Sequence, residues 1–407
     1  MSRHFLLIGT AREVHPKIKQ LGHRLSLLCP VKNIKTLKNH GDYDRIVGMA
    51  ANATIDQWIE QARLIHCHAP IDVLGGFNEV TQHIAADVAA ALKLPYHSSA
   101  TIHYTRQKDA MRQVLREANL DPTIAQSVET ADDIKVFGER YGYPLVLKPR
   151  DGRASMGVSI IRSAAEIATA QAWFEAGAAG HAMLVEEYLS GEEYSVEAFS
   201  EYGQHHIICV TQKFKDPQTS VETGHCLPAP LPQATVAEIT SFVEQVLTAL
   251  DLQNGPSHTE IILTARGPRI VETHARLAGD SIVELIELAS GIDVDQLWIK
   301  QVAGETVFEQ LPRSFQRWAA IAYASPHAIG RLERVDGQEQ ATHCPGVVKA
   351  DVLQELGSFF QGASDSFARG AFAIATGDTA TLATMQARQA AQCFRFLVNC
   401  ADPSTHS

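Results

Sequence analysis

The sequence predicts an α/β protein whose first hundred residues form a doubly wound parallel sheet. Helical stretches, such as those at 54–66 and 79–92, separate short apolar runs that lie at residues 4–9, 24–29, 45–48 and 71–75. Regular alternation of apolar strands with helices is typical of a parallel sheet covered by helices on both faces. The Gly9-Thr10-Ala11 turn after the first strand lacks the G-x-G-x-x-G pattern, which disfavours a dinucleotide site at that turn.

Composition narrows the class of protein. The 407 residues are enough for several compact units, and 45% hydrophobic with 20% charged residues is typical of a soluble globular chain. A net charge of −11 without a basic run disfavours a nucleic-acid partner. The seven cysteines lack a C-x-x-C spacing, which favours free thiols in a reducing cytosol. The apolar runs are too short for a signal peptide or a membrane span, so we expect a cytoplasmic protein without a membrane partner.

Glu79 follows the last strand of this first region. It comes directly after Leu74-Gly75-Gly76-Phe77-Asn78, where the carboxyl end of a strand opens into a helix. Ligands of open α/β sheets collect at such strand ends, which makes Glu79 a candidate binding residue. The simpler interpretation is an acid in the first turn of a helix, where it complements the helix dipole.

Two lysines and a glycine-containing loop mark the second region. Lys108 lies on a predicted helix at 106–119, and Lys148 lies at the end of a predicted strand at 144–149. The following loop, 150–158, contains Ser155 and Gly157 among small residues. Free backbone N–H groups in such a loop can form a concave nest for phosphate oxygens, although many β-hairpins have similar loops.

Two further segments carry candidate residues. A predicted strand at 183–188 leads into Glu186-Glu187-Tyr188-Leu189, which is either a solvated edge or a hinge against which a flat heterocycle lies. After a strand at 207–210, residues 213–230 are predicted to form a long polar loop containing Glu222-Thr223-Gly224-His225. Long loops within compact domains are usually functional, and Glu222 and His225 could contact a reacting anion or an amine.

A predicted β-hairpin is the most informative feature of the chain. Apolar and β-branched residues flank Ala265-Arg266-Gly267-Pro268-Arg269, so a tight turn there places Glu260 opposite Glu272. Side chains alternate along a strand, so His274 and Arg276 share the face of Glu272. Two opposed carboxylates repel each other unless a cation lies between them, and Mg²⁺ binds such oxygen ligands together with substrate phosphates. Metal-assisted phosphoryl chemistry is the function that this pattern favours.

The order of these features resembles the ATP-grasp superfamily, and within it the bacterial L-amino-acid ligases that form dipeptides of the bacilysin type. The resemblance implies an ATP-grasp fold between a Rossmann-like domain at 1–104 and a small α+β domain at 311–407 similar to that of biotin carboxylase. The ATP-grasp domain would span 105–310, with subdomains at 105–186 and 187–310. Relatives in this superfamily also imply a homodimer.

The resemblance further implies a role for each candidate residue. The nucleotide-binding set, with ATP as cofactor, comprises Lys108, Lys148, Ser155, Gly157, Glu186, Glu187, Tyr188, Leu189 and Glu193. Glu260 and Glu272 match the ligands of Mg²⁺, for which Mn²⁺ is an alternative. His274 stands where relatives have a metal-binding asparagine, so it either binds the metal or contacts substrate.

The implied reaction joins a carboxylate to an amine through an acyl phosphate. Glu79 or Glu222 would bind an ammonium group, His225 the phosphorylated intermediate, and Arg276 a carboxylate or the acyl phosphate. The substrates would be small molecules, namely amino acids. The alternatives are a purine-biosynthetic or biotin-carboxylase-like ATP-grasp enzyme, and a nucleotide-binding regulator without activity. Zinc hydrolysis is disfavoured because the sequence has no H-E-x-x-H motif.

Overall fold

The computed structural model describes residues 2–11, 14–152, 156–216, 221–326, 328–360 and 368–399. Its first region contains a four-stranded parallel sheet in the order β3-β2-β1-β4, which confirms the predicted parallel sheet. Helices cover this sheet. The bounds are β1 His4–Ile8, α1 Val14–Gln20, β2 Arg24–Pro30, β3 Arg45–Met49, α2 Ile55–His68, β4 Val73–Gly75 and α3 Gln82–Leu92.

The second region is a four-stranded antiparallel sheet in the order β5-β8-β6-β7. The predicted helix at 106–119 is confirmed as α5, which begins two residues later, at Lys108, because α4 ends at Arg106 and Gln107 is extended. The bounds are α4 Ser99–Arg106, α5 Lys108–Glu117, β5 Ala125–Val128, α6 Ala131–Tyr141, β6 Leu145–Pro149, β7 Ser159–Ile161, α7 Ile167–Ala178 and β8 Met183–Glu187.

The remainder of the described chain forms an eight-stranded antiparallel sheet and a three-stranded one. The strand orders are β13-β12-β9-β10-β11-β14-β18-β16 and β17-β15-β19. The bounds are β9 Gly191–Glu201, β10 Gln204–Lys215, β11 Glu222–Leu227, α8 Gln233–Ala249, β12 Gly255–Thr264, β13 Gly267–His274, α9 Ile282–Ser290, α10 Val294–Val302, β14 Trp318–Ala324, β15 Gly330–Asp336, α11 Gln338–Thr342, β16 Val347–Val352, β17 Phe359–Phe360, β18 Ala371–Gly377, α12 Ala380–Ala391 and β19 Arg395–Asn399.

The predicted polar loop at 213–230 is wrong. Strand β10 continues to Lys215 and pairs antiparallel with β11, with Lys213 opposite His225. Both of these side chains are buried. Polar residues on the buried face of a strand remove the apolar alternation by which strands are recognised, which explains why the sequence indicated a loop.

The eight-stranded sheet crosses the predicted boundary at residue 311. Strand β11 pairs with β14, which pairs with β18, so strands from the last hundred residues continue the sheet that carries the Glu260–Glu272 hairpin. Helix α12 packs against β14 and β18 through alanines. The division into three domains remains a prediction.

Contacts between the first region and the large sheet hold the molecule together. Phe77 packs edge-on against Trp298 of α10 with ring centroids 4.6 Å apart, inside a core that includes residues of β1, α9 and β14. Lys17 of α1 forms ion pairs of 2.8 and 2.9 Å with Asp293 and Asp295 at the start of α10. In the described part of the chain, none of the helices is both long enough and apolar enough to cross a membrane.

Candidate functional site

The hairpin of β12 and β13 forms as predicted. Glu260 lies opposite Glu272 in the strand register, and a two-residue loop joins Thr264 to its partner Gly267. A register shift follows the acidic pair, between Glu260 and Ile261. The two carboxylates therefore lie opposite each other on neighbouring strands, where Lys108 of α5 contacts Glu272.

A cavity of about 500 Å³ lies between the four-stranded antiparallel sheet and the eight-stranded sheet. This volume is within the range of small-molecule sites. Nine of the sixteen predicted site residues line it: Lys108, Lys148, Glu186, Glu187, Tyr188, Leu189, Glu193, Glu260 and Glu272. Among the described residues, its lining includes Met156 and Val158 but not Gly157 between them, while Ser155 lies outside the described residues.

Lys148 and Glu186 form a buried charge cluster in the cavity wall. The Lys148 Nζ lies 2.6 Å from Glu186 Oε2, and Arg112 of α5 donates to both oxygens of the same carboxylate at 2.9 and 3.1 Å. Burial favours the neutral form of Glu186, but Arg112 and Lys148 outweigh it and lower its pKa to about 2. Burial lowers the pKa of Lys148 in spite of the Glu186 carboxylate. The predicted adenine hinge is thus anchored by Arg112, a residue that the sequence did not single out.

Lys213 is a second residue that sequence reasoning missed. Its buried Nζ lies 2.6 Å from Glu222, 2.7 Å from Glu260 and 2.9 Å from Glu193. Burial opposes the charge on Lys213, but the three carboxylates raise its pKa well above the usual value. The same lysine contributes to holding the pKa of Glu260 well below its usual value, against the effect of burial.

Lys108 neutralises the other acid of the hairpin. Its Nζ lies 2.8 Å from Glu272 Oε2 and donates to the Gly152 carbonyl at 2.8 Å. Burial opposes the charge on Lys108, and Glu272 more than compensates and raises its pKa. Each opposed carboxylate therefore has its own ammonium partner.

The donor set around Glu260 fits a divalent cation. Oxygens of Glu193, Glu222 and Glu260 lie within 4.8 Å of one another, and Glu272 is the strand partner of Glu260. Carboxylate oxygens are the ligands that Mg²⁺ prefers, and Mn²⁺ accepts the same donors.

Glu79, His274 and Arg276 form a separate cluster on the far side of the acidic pair. Arg276 donates to Glu79 Oε2 at 2.7 Å, and His274 bridges Glu79 Oε1 at 3.3 Å and Glu272 Oε1 at 3.0 Å. Glu79 lies in the 3-10 turn Glu79–Thr81 ahead of α3, so it contacts β13 in addition to beginning a helical turn. Both ring nitrogens of His274 face carboxylates in this arrangement.

Glu222 and His225 lie near Asp280 and Arg369, two residues that sequence reasoning missed. The buried His225 Nε2 lies 3.6 Å from Glu222 Oε2 and 3.6 Å from Asp280 Oδ2. Arg369 holds Asp280 through two contacts of 2.6 and 3.0 Å, and its guanidinium lies 4.0 Å from the centre of the Tyr323 ring. No local pattern marks Asp280 or Arg369, because they are 89 residues apart in sequence.

His258 is a further residue near the acidic pair that sequence reasoning missed. Its Nδ1 lies 2.9 Å from Glu197 Oε2, and its Nε2 lies 3.4 Å from Glu260 Oε1. Burial lowers the pKa of an imidazole, but Glu197 and Glu260 outweigh this effect and raise the pKa of His258 to about 9. The spacing His258-Thr259-Glu260 on a strand was the available signal, since it puts both side chains on one face.

Comparison with known proteins shows similarity to two described families. Residues 141–284 match the ATP-grasp domain family, which places the hinge segment and the acidic hairpin in one domain. Over these residues the chain is similar to ATP-grasp domains. Residues 322–399 match the family described as L-amino acid ligase C-terminal domain 2. The predicted resemblance to ATP-grasp proteins of the L-amino-acid ligase type is confirmed.

Individual relatives share part of the sequence. Over 263 residues the chain is 30% identical to the uncharacterized protein y4rH of Sinorhizobium fredii, covering 64% of this chain and 54% of that protein. Over 219 residues it is 29% identical to the alanine–anticapsin ligase of Bacillus subtilis, covering 47% of this chain and 45% of the relative. The chain thus spans about half the length of these two relatives.

A solved structure shares the fold over the full length. The crystal structure of an L-amino acid ligase from Bacillus licheniformis has a TM-score of 0.83 and 20% sequence identity, covering 98% of this chain and 99% of that one. The predicted ATP-grasp fold with a parallel N-terminal sheet is therefore confirmed. The ATP-grasp match begins after Lys108 and ends after Asp280, and Arg369 lies in the C-terminal match.

Proposed function

We propose that the protein is an ATP-dependent ligase that joins the carboxylate of one amino acid to the amine of another. The observation that carries the proposal is a cavity of nucleotide size that ends at the opposed carboxylates of Glu260 and Glu272. The match to an L-amino acid ligase C-terminal domain, and the likeness to alanine–anticapsin ligase, support amino acids as the substrates. The products would be a dipeptide or an amino-acid amide, ADP and phosphate.

The charges of the cavity suit a nucleotide triphosphate. Lys108, Lys148, Lys213 and Lys215 line it, and their ammonium groups can turn from carboxylates to phosphate oxygens. Tyr188 and Leu189 offer flat apolar surface beyond β8 for the base. Glu193, which holds Lys213 and Lys215, lies where ribose hydroxyls could donate to it.

Glu260 and Glu272 would hold the Mg²⁺ of the nucleotide complex, with Glu193 and Glu222 close by. When bound, the cation would neutralise charge on the phosphoryl group that is transferred. Whether His274 joins the ligands remains a prediction, because its ring nitrogens contact Glu79 and Glu272.

The acceptor side would use the polar groups beyond the acidic pair. The carboxylate of one amino acid attacks the γ-phosphorus of ATP, ADP leaves, and the amine of the second then displaces phosphate from the acyl phosphate. Arg276 can bind a carboxylate or phosphate through its planar guanidinium, and Glu79 or Glu222 can accept from an ammonium group. His225 lies between Glu222 and Asp280, where it could contact the phosphorylated intermediate.

Phosphate release tests the proposal. The full chain is incubated with ATP, Mg²⁺ and each pair of the common amino acids, and products are identified by mass spectrometry. We expect phosphate release that depends on both amino acids, together with a product whose mass is their sum less one water. Release that requires bicarbonate or a purine precursor, with no response to any amino-acid pair, would exclude an amino-acid ligase and favour the other ATP-grasp reactions.

A further inference from the structure

A buried histidine lies directly behind Glu260. His258 precedes Glu260 by two residues on β12, and its Nε2 faces Glu260 Oε1 at 3.4 Å. Its Nδ1 contacts both oxygens of Glu197 on the neighbouring β9, at 2.9 and 3.2 Å. One imidazole therefore joins two carboxylates, of which only Glu260 lines the cavity among the described residues.

Glu197 is itself fixed by its neighbours. It lies directly opposite His258 in the register of β9 and β12, and Ser195 donates to its Oε1 at 2.7 Å. Glu197 and His258 are 3% and 6% exposed, so both are shielded from water by the sheet. A buried carboxylate is costly unless it is paired and hydrogen-bonded, which these contacts achieve.

On the partner strand β13, His274 contacts Glu272 as His258 contacts Glu260 on β12. His274 lies opposite His258 in the strand register, with the rings 5.9 Å apart and inclined by 17°. His274 Nε2 contacts Glu272 at 3.0 Å, as His258 Nε2 contacts Glu260. A pair of histidines thus lies behind the pair of acids, but only His258 is held on its other side by a carboxylate remote from the cavity and from the predicted substrate residues.

We propose that His258, oriented by Glu197, is a positioning residue that fixes the Glu260 carboxylate for binding the divalent cation of the nucleotide complex. The inference rests on the proposed function. A carboxylate that can rotate about its side-chain bonds binds a cation less well than one held in place, because its freedom is lost on binding. Groups that orient metal ligands in this way contribute strongly to affinity, and their loss typically weakens metal binding roughly 10–100-fold.

Binding of Mn²⁺ tests the inference without relying on turnover. Free Mn²⁺ is followed by electron paramagnetic resonance while the full chain is titrated in the presence of ADP. We expect His258→Leu to weaken Mn²⁺ binding roughly 10–100-fold. His258→Gln, which keeps an amide that can contact Glu260, should recover part of the loss. Glu197→Gln should weaken Mn²⁺ binding less than His258→Leu, and it tests the same contact if His258→Leu does not fold.

ADP binding without metal separates positioning from a general structural role. We expect the dissociation constant of ADP alone, measured by calorimetry, to be the same in the His258 variants and the natural protein. His205→Leu is the matched control, because His205 lies on β10 of the same sheet, contacts Ser200 and Thr248, and does not approach the acids. This control should bind Mn²⁺ normally.

Two results would overturn the inference. One is unchanged Mn²⁺ binding by a folded His258→Leu protein. The other is an equal loss of ADP binding with and without metal, which indicates a general distortion of the sheet. If the natural protein bound neither ADP nor Mn²⁺, the proposed function itself would fail and this inference with it, so the two failures are distinguishable.

Discussion

Lysine and glutamate side chains alternate at the acidic end of the cavity. Lys213 contacts three carboxylates and Lys108 contacts a fourth. The lysines help to hold the pKa of Glu260 and that of Glu272 below the usual value, so these two acids stay ionised, which is the form that a divalent cation requires. The same lysines can then contact phosphate oxygens when the acids contact a cation.

Removing either acid of the hairpin tests the core of the proposed site. We expect Glu260→Ala and Glu272→Ala each to lower ATP turnover at least about 100-fold, because each removes a ligand of the cation that stabilises charge on the reacting phosphoryl group. Phosphate release is the measurement. Glu139→Ala on the exposed face of α6 is the control and should retain full activity. Unchanged turnover in either hairpin variant contradicts the assignment of the metal site.

The Arg112–Glu186 pair should be important for stability. Arg112→Met leaves Glu186 and Asp121 buried without their guanidinium partner, which we expect to cost about 3–5 kcal/mol in the free energy of unfolding. Arg24→Met removes an exposed pair with Asp44 and should cost less than about 1 kcal/mol. Urea denaturation compares the two variants, and similar losses in both would contradict the role of burial.

His15 should make the protein less stable in mild acid. It is buried on α1 against Tyr43, with 2.8 Å between Nδ1 and the phenol oxygen, and burial lowers its pKa to about 4. The unfolded chain binds a proton near pH 6.5 and the folded chain does not, so stability present above pH 6.5 is lost as the pH falls toward 4. One such group lowers the free energy of unfolding by about 2 kcal/mol as the pH falls from 7 to 5.

His15→Gln isolates this contribution. The variant should be less sensitive to pH than the natural protein, so that the difference in unfolding free energy between them changes by about 2 kcal/mol between pH 7 and pH 5. Urea denaturation at the two pH values measures this difference. A constant difference would show that His15 titrates alike in the folded and unfolded chains.

At the scale of elements, helix α12 brings a charge from the C-terminal part of the chain to the cavity. Arg388 lines the cavity and stacks on Phe214 of β10, with its guanidinium carbon 4.5 Å from the ring centre. Among the described residues Arg388 forms no ion pair, unlike the cavity lysines. Its guanidinium is therefore available for an anionic group of the nucleotide or substrate.

Neutralising Arg388 should weaken the binding of ATP. We expect Arg388→Met to raise the KM for ATP roughly tenfold, as the loss of one hydrogen bond to a charged group predicts, while packing on Phe214 is retained. Arg388→Lys keeps the charge and should restore most of the affinity. Steady-state kinetics measure both, and a normal KM in Arg388→Met would show that the guanidinium stays away from the nucleotide.

At the scale of the whole molecule, the eight-stranded sheet unites the predicted central and C-terminal domains. Strand β14 pairs with β11, and Arg369 reaches Asp280 beside the candidate site. The C-terminal part therefore contributes three strands to the large sheet and a residue that contacts the candidate site, which a separate appended domain would not do.

A chain that ends at residue 310 should not fold to a soluble monomer. The truncation exposes the edge of β11 and buried residues such as Leu227, and unpaired apolar strand edges aggregate. Size-exclusion chromatography and circular dichroism are the measurements. A monomeric fragment with native strand content would instead support an independent ATP-grasp domain and the predicted boundary at 311.

Local patterns were sufficient for much of the fold and for part of the site. The parallel sheet and the Glu260–Glu272 pairing follow from residue spacing, because strand register fixes which side chains meet across a short turn. The assignment of residues 186–189 as a hinge for the base stays a prediction, and all four residues line the cavity. The failure occurred where polar side chains lie on buried strand faces, as in β10 and β11.

The sequence by itself determined the alternating strands and helices of the first hundred residues and the acids of the hairpin, since these depend on neighbours along the chain. Only the tertiary structure decided which distant charges meet: Lys213 with three glutamates, Asp280 with Arg369, and His258 with Glu197. The physical reason is that a buried charge requires a partner within a few ångströms, and the partner's identity depends on how whole strands are ordered in the sheet. Spacing along the chain carries no record of that order.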